Sequence, residues 1–288
     1  MASLYRAPAK INLTLEVLAR RDDGYHALRS VMVPLDLADE LAIERSDAFA
    51  FSCDIAGLGG DDNLAVRALR AIGELPAARV TLRKRIPTQA GLGGGSSDAA
   101  AVLRAAMEGA FGDCGPVDWL AAARQLGSDV PFFLAGTGAL VEGTGERVTP
   151  AGALPPWAVL IVKPPAAIST ASAYAELDRH PRPSRARSTS ASLAALTALQ
   201  RGDLGEVERL ATNDFQEPIA ALAPEIATAL DALRSAGARV ALLAGSGSCT
   251  FALAADDAEA QRLAERLELP STYERFLTRF AATPGWRN

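Results

Sequence analysis

Residues 91–101 read GLGGGSSDAAA: glycine fills four of the first five positions, two serines follow, and then alanines. Glycine has no Cβ, so a run of it lets several backbone amides turn toward one centre. A helix beginning at the serines adds its free N–H groups and the positive end of its dipole, a combination that favours phosphate. Ser96 and Ser97 can each donate to phosphate oxygens or reach a Mg²⁺ ion. A flexible hinge would share this composition, but linkers are rarely set between a regular strand and a regular helix. The pattern is not a Walker A loop, which needs Lys-Ser or Lys-Thr after its last glycine. GxGxxG fails too, because Ser96 stands where its final glycine belongs. Neither HRD nor DFG is present, which excludes a protein kinase.

Of the 29 basic residues only three are lysine: Lys10, Lys84 and Lys163. Arginine cannot copy the compact, titratable ammonium of lysine, so these three stand out as functional candidates. Asp129, in GSDVPFF, is either a turn-capping aspartate or a carboxylate placed to accept a proton. Cys53, Cys114 and Cys249 are scattered, without CxxC or histidine at ligand spacing, and read as reduced structural thiols rather than a zinc site.

Hydropathy patterning supplies the scaffold. Residues 6–18 (RAPAKINLTLEVL) alternate, with Ala7, Ala9, Ile11, Leu13, Leu15 and Val17 on one face and Lys10, Asn12, Thr14 and Glu16 on the other. That is a half-buried strand carrying Lys10 and Asn12 together. A turn follows in RRDDGYHALRS, then two strands, VMVPLDL and DELAIER. A helix begins near Asp61, capped by Asp62 or Asn63. ARVTLRKRIP is a strand feeding the glycine run, and Ser96 or Ser97 caps the helix beyond it. VDWLAAARQLG is a helix closed by Gly127, and residues 128–150 form a turn and a hairpin-like pair. AVLIVKPP is a buried strand, and helices fill most of 191–235. ARVALLAGSGSCTFALAA reads as strand, turn, strand, with a helix in DDAEAQRLAERLE. Residues 178–192 form a basic, solvated loop.

The double proline of AGALPPW divides the chain into residues 1–153 and 154–288, an α+β protein in two lobes. With 288 residues, 49% hydrophobic and 22% charged, the composition is that of a globular protein. No apolar run reaches membrane length, and MASLYRAPAK lacks a signal peptide's apolar core, so the cytosol is the expected compartment. A net charge of −5 argues against a nucleic-acid partner.

PTQAGLGGGSSDAAA resembles the phosphate-binding motif of the GHMP kinase superfamily. APAKINLTLEV resembles its N-terminal motif, and LAGSGSCTFAL its C-terminal glycine-serine turn. The three occur in the family's order and span the chain nearly end to end. The resemblance implies a two-lobed GHMP kinase fold, with an N-terminal nucleotide-binding lobe, a ferredoxin-like C-terminal lobe and catalysis between them. DGYHALRSVM, DNLAVRAL and GSDVPFF are similar to the branch acting on a CDP-linked methylerythritol in the non-mevalonate isoprenoid route, with ATP and Mg²⁺.

The resemblance also implies roles. Asp129 faces the substrate hydroxyl with Lys10 beside it. Pro87, Thr88, Gln89, Ala90, Gly91, Leu92, Gly93, Gly94, Gly95, Ser96 and Ser97 form the ATP loop. Asn63, Leu64 and Lys84 lie on the adenine side, although helix capping accounts for Asn63 almost as well and Lys84 reads by default as a strand-edge lysine. Asn12, beside Lys10 on its strand, either bonds substrate or is a polar residue of a solvated face; the resemblance implies that Tyr25 and His26 hold cytosine, with Tyr174 either the opposite stacking face or a core aromatic. Gly245, Ser246 and Gly247 either approach the diphosphate or simply turn a hairpin. No metal ligand is assigned, and the protein is expected as a monomer or weak homodimer. Gln89, Ala90 and Cys249 depart from the residues common in the family.

Overall fold

The computed structural model describes residues 2–20, 24, 26–180 and 190–281. Two long antiparallel strands, β1 (Ser3–Arg20) and β2 (His26–Arg45), pair along their length. β2 is therefore one strand where the sequence suggests two. The apparent break is a bulge: the register steps from Pro8↔Ala38 to Lys10↔Pro34, leaving Leu35, Asp36 and Leu37 opposite Ala9. The chain's far end holds this bulge, since Leu37 N donates to Thr278 Oγ1 (2.9 Å) and Ala281 N to Pro34 O (3.0 Å).

The expected half-buried character of β1 is also corrected, because both of its faces are covered. Lys10, Asn12, Thr14 and Glu16 are all buried. Each has a partner that offsets desolvation. Thr14 Oγ1 donates to Ser192 Oγ (2.8 Å), and Glu16 Oε2 accepts from Ser190 Oγ (2.5 Å) and Ser192 N (3.0 Å). Alternation marked the polar face correctly but could not show that residues 174 to 178 positions further along the chain would lie over it.

The first sheet is completed by β3 (Ala50–Cys53), β4 (Ala78–Arg83), β5 (Ala139–Gly143), β6 (Arg147–Pro150) and, from the second half, β8 (Thr212–Asn213). Its main path runs β3-β4-β2-β1-β8, with β5 joining β2 to β6. Four helices pack beside it: α1 (Leu64–Ile72), α2 (Gly94–Met107), α3 (Trp119–Leu126) and α4 (Val130–Ala135). Their core contains Tyr5, Leu41, Val80, Leu103, Phe132 and Phe133.

Two boundaries differ from the sequence reading. α2 starts at Gly94 behind an N-cap Gly93 at φ +73°, so Ser96 and Ser97 sit in its first turn rather than capping it. VPFFLA is a short helix, not a turn: Pro131 falls in the first turn, where its missing N–H costs nothing, and left-handed Gly136 ends it.

The second half builds a four-stranded antiparallel sheet from β7 (Ala158–Lys163), β9 (Leu242–Leu243), β10 (Thr250–Ala254) and β11 (Glu274–Arg279), in the order β11-β7-β10-β9. On one face Leu160 and Val162 meet α9 (Pro224–Ser235) and α10 (Asp257–Arg266) through Leu233 and Leu263. On the other, Val159 and Ile161 join Ile11, Val31, Ile86 and Leu92 in a core drawn from both halves. Burial on both faces is why AVLIV is an uninterrupted apolar run. This is the ferredoxin-like lobe expected. Four further helices, α5 (Thr170–Leu177), α6 (Ala191–Gln200), α7 (Leu204–Leu210) and α8 (Gln216–Leu222), fill the join. Residues 181–189 of the basic loop lie outside the described residues.

Candidate functional site

A cleft of ≈ 670 Å³ opens where the two halves meet, lined by Lys10, Asp129, the stretch Pro87–Ser96, and Gly245–Gly247. Asn12, Asn63, Leu64, Lys84 and Tyr174 also line it. Most residues that the motifs single out therefore share one cavity, although they come from both ends of the chain.

The glycines let three elements meet. Lys10 N, on β1, donates to Leu92 O (2.9 Å), while Cys249 N donates to Ala90 O (3.1 Å). The loop is thus pinned between β1 and the turn that joins β9 to β10. Gly91 has φ +75°, and a Cβ there would collide with the Ala244 carbonyl. At Gly93 a Cβ would lie 2.9 Å from the Phe133 ring and 3.1 Å from Lys10 Cγ. At Gly245 it would meet Gly91 O at 2.8 Å and Lys10 Nζ at 3.0 Å. Residues 244–248 do turn a hairpin, and the same turn forms one wall of the cleft. Gln89 adopts φ +51°, a left-handed conformation that glycine would adopt without strain.

Lys10 is buried, and its Nζ donates to Asn12 Oδ1 (2.9 Å) and lies 3.5 Å from Asp129 Oδ2. Asn12 Nδ2 in turn donates to Ser30 Oγ (2.7 Å), and Ser30 Oγ to Thr14 O (2.6 Å). A chain of hydrogen bonds along the β1–β2 ladder therefore holds the ammonium in place. Asp129 occupies the N-cap position of α4 yet makes no side-chain capping bond there. Its carboxylate, one-third exposed, is turned toward Lys10 and the cleft. The bland role of a capping aspartate is not the one it performs.

Lys84 is no strand-edge lysine. Its ammonium bonds Asp39 Oδ2 (2.5 Å) and Asp98 Oδ2 (2.6 Å), and all three side chains are buried. Two carboxylates share one cation here. Asp39 is the better served, because its Oδ1 also accepts the amides of Arg85 (2.5 Å) and Ile86 (2.8 Å). Burial, with the Asp39 charge beside it, outweighs Lys84 and pushes Asp98 up to about 7. For Lys84 burial works against the charge, but Asp98 and Asp39 prevail and hold its pKa above the ordinary lysine value.

Asn63 does cap α1, its Oδ1 accepting from Ala65 N (2.9 Å) while its Nδ2 donates to Leu58 O (2.8 Å). It also lines the cleft. Ser96 faces the cleft, whereas Ser97 is wholly buried and its Oγ has no hydrogen-bond partner among the described residues. His26 Nε2 pairs with Asp178 Oδ1 (2.8 Å), and its ring stacks on Tyr174 with centroids 5.0 Å apart. Tyr174 also meets Phe215 edge-on. Tyr25 lies outside the described residues. Lys163 stands apart from the cleft lining, its Nζ donating to Pro164 O and Ala166 O (2.7 Å each). The thiol of Cys249 is buried and pushed up to about 12, which leaves it inert.

Sequence reasoning missed Asn213 and Asp39. Asn213 Nδ2 donates to Leu243 O and Gly245 O (2.8 Å each), fixing the glycine-serine turn from below. Neither residue stands in a recognisable motif; only the fold brings them to the site. Among the described residues no group of three His, Cys, Asp or Glu side chains could hold a metal ion.

Comparison with known proteins finds relatives of this chain over most of its length. The model for the GHMP kinases N terminal domain matches residues 63–137, and that for the GHMP kinases C terminal matches residues 195–270. The chain is 44% identical over 268 residues to a 4-diphosphocytidyl-2-C-methyl-D-erythritol kinase from Deinococcus radiodurans, covering 91% of this chain and 87% of that one. A Thermus thermophilus protein of the same name is 42% identical over 265 residues, covering 91% of each. The crystal structure of a 4-(cytidine 5'-diphospho)-2C-methyl-D-erythritol kinase superposes with a TM-score of 0.78 at 38% identity, covering 96% of this chain and 100% of that one. Homoserine kinase from Cytophaga hutchinsonii shares the fold, with a TM-score of 0.72 at 18% identity over 98% of this chain and 95% of that one.

Proposed function

The chain belongs to the GHMP kinases, among them to the 4-diphosphocytidyl-2-C-methyl-D-erythritol kinases, and on that premise we infer how its cleft performs their reaction. The protein transfers a phosphoryl group from ATP to the 2-hydroxyl of 4-diphosphocytidyl-2-C-methyl-D-erythritol, a step in the non-mevalonate isoprenoid route.

Phosphoryl transfer passes through a loose transition state, so the protein's work is positioning and charge stabilisation. The ATP phosphates rest on the Pro87–Ser96 loop at the N-terminus of α2, where the absence of Cβ atoms leaves the amides accessible. Asn63 and Leu64 shape the adenine side; the Asn63 side chain, committed to capping, contributes shape rather than hydrogen bonds. Asp129 orients the substrate hydroxyl and takes its proton as the new O–P bond forms and ADP departs. Lys10, steadied by Asn12, offsets the negative charge that gathers between Asp129 and the γ-phosphate. The cytosine end lies toward His26 and Tyr174, and the diphosphate along Gly245, Ser246 and Gly247.

The cleft's own residues would hold a Mg²⁺ ion only together with the nucleotide phosphates. A Mg²⁺ ion keeps several waters and needs only one or two protein oxygens beside substrate phosphates. The Ser96 hydroxyl and the Asp129 carboxylate, both lining the cleft, fit that demand. When bound, the ion supplies neutralisation of phosphate charge. We place the reaction in the cytoplasm, on a small-molecule substrate without nucleic acid or membrane, by a monomer or weak homodimer.

The observation that carries this assignment of residues is the junction of the Lys10–Asp129 pair and the glycine loop in one cleft. ADP release measured with ATP, Mg²⁺ and the CDP substrate, beside mevalonate, homoserine and galactose, tests the whole. Turnover with the CDP substrate alone is expected. Turnover with another alcohol alone would overturn the cytosine site while leaving the kinase loop in place.

A further inference from the structure

Both ends of the glycine loop are fastened to one side chain that stands outside every motif. β4 leaves the sheet at Arg83, its last pairing being Glu40↔Arg83, so the amides that follow have no ladder partner. Carboxylates take their place. Asp54 Oδ1 accepts from Lys84 N (2.9 Å), and Asp39 Oδ1 accepts from both Arg85 N and Ile86 N. Pro87 and the loop come next. Beyond the loop, at the start of the second turn of α2, Asp98 receives the Lys84 ammonium, whose other hydrogen bond goes back to Asp39 Oδ2. This cluster lies directly beneath the loop: a Cβ at Gly94 would sit 3.3 Å from Lys84 Nζ and 3.4 Å from Asp39 Oδ2.

We propose that Asp39 is a positioning residue for the ATP phosphate loop, clamping its start through two backbone amides and its end through the Lys84–Asp98 bridge. The inference rests on the reading that Pro87–Ser96 holds the ATP phosphates. A glycine-rich loop left to itself samples many conformations, and ordering it at the moment of binding would weaken nucleotide affinity. Fixing both ends beforehand removes much of that cost. Hydrogen bonds to an ionised carboxylate are about twice as strong as neutral ones, and Asp39 has no solvent competing for its oxygens. Asp39→Asn replaces one acceptor with an NH₂ group that must face either the two amides or the Lys84 ammonium, so one arm of the clamp is lost.

The experiment combines steady-state kinetics with amide hydrogen exchange, on wild type and Asp39→Asn, with and without ADP. In wild type, ADP should slow exchange over residues 87–95. Asp39→Asn should raise the KM for ATP on the order of 10-fold, leave the KM for the CDP substrate within about twofold, and speed exchange over residues 87–95 in the free enzyme. Protection of β1 and β7 should be unchanged, which a merely global loss of stability would not produce. If ADP protects the wild-type loop but the variant's exchange and ATP KM match wild type, the clamp is overturned and the loop's function stands. If ADP leaves residues 87–95 unprotected in wild type, the phosphate site itself is elsewhere and both readings fall. Should Asp39→Asn not fold, Asp98→Ala cuts the second arm alone. Faster exchange over residues 91–97 with a raised ATP KM supports the clamp, and no change in either overturns it.

Discussion

Asp129 shows how much a single side chain's surroundings decide. It stands at a helix N-cap, where an aspartate ordinarily accepts backbone amides, yet it makes no such bond and lies 3.5 Å from Lys10 Nζ instead. Asp129→Asn should lower kcat on the order of 10²-fold or more, with the KM for ATP nearly intact. Near-normal turnover by steady-state assay would remove Asp129 from the mechanism. Asp98 calls for a different test. Its folded-state pKa, about 7, lies above the ordinary 3.8, so between those values the native state holds a proton that the unfolded chain has released. Its contribution to stability therefore falls as pH rises through that window and is flat above it. Asp98→Asn cannot titrate, so the Tm of wild type relative to this variant should fall between about pH 4 and about pH 7; a constant difference would rule the shift out. Lysine scarcity pointed to Lys10 and Lys84 and, less usefully, to Lys163, which bonds two carbonyls away from the cleft lining. Composition could flag the residue type but not the carboxylates that each lysine would meet.

At the scale of elements, the site depends on short backbone segments brought nearly into contact. The turn at 244–248 abuts Gly91 and Lys10, and Asn213, the last residue of β8, holds it through two carbonyls. Asn213→Ala leaves those carbonyls buried without that donor, and the loss should be about 1–3 kcal/mol of unfolding free energy by denaturant titration. The KM for the CDP substrate should rise as well, since the turn loses its footing. An unchanged denaturation midpoint would mean that the turn is held by its own hydrogen bonds. Strand and helix periodicities were legible for β1, β4, α1, α3, β7 and α10. β2 and α4 were not, for related reasons: Pro34 sits at a bulge clamped by the far end of the chain, and Pro131 begins a helix too short for any periodicity to reveal.

At the scale of the molecule, the core around Ile11, Val31 and Leu92 is shared with Val159, Ile161 and Phe251 from the second half. β8 completes the first sheet from beyond residue 200. Denaturant unfolding followed by far-UV circular dichroism and by tryptophan fluorescence should accordingly give one coincident transition, because Trp157 belongs to the core shared by both halves and Trp119 packs against the core of the first. Two separated transitions would mean that each half is stable without the shared core. The sequence by itself determined what local chemistry can encode: the glycine loop, the strand that carries Lys10, the helix that follows the loop, and motifs ordered as in one kinase family. Only the tertiary structure decided that Asp129 turns from its cap to Lys10, that Asp39 and Asn213 support two loops of the site, and that the polar face of β1 is buried. Alternation and capping act over a few residues, whereas each of these outcomes depends on contacts between segments tens to hundreds of residues apart, for which a single sequence carries no periodic signal.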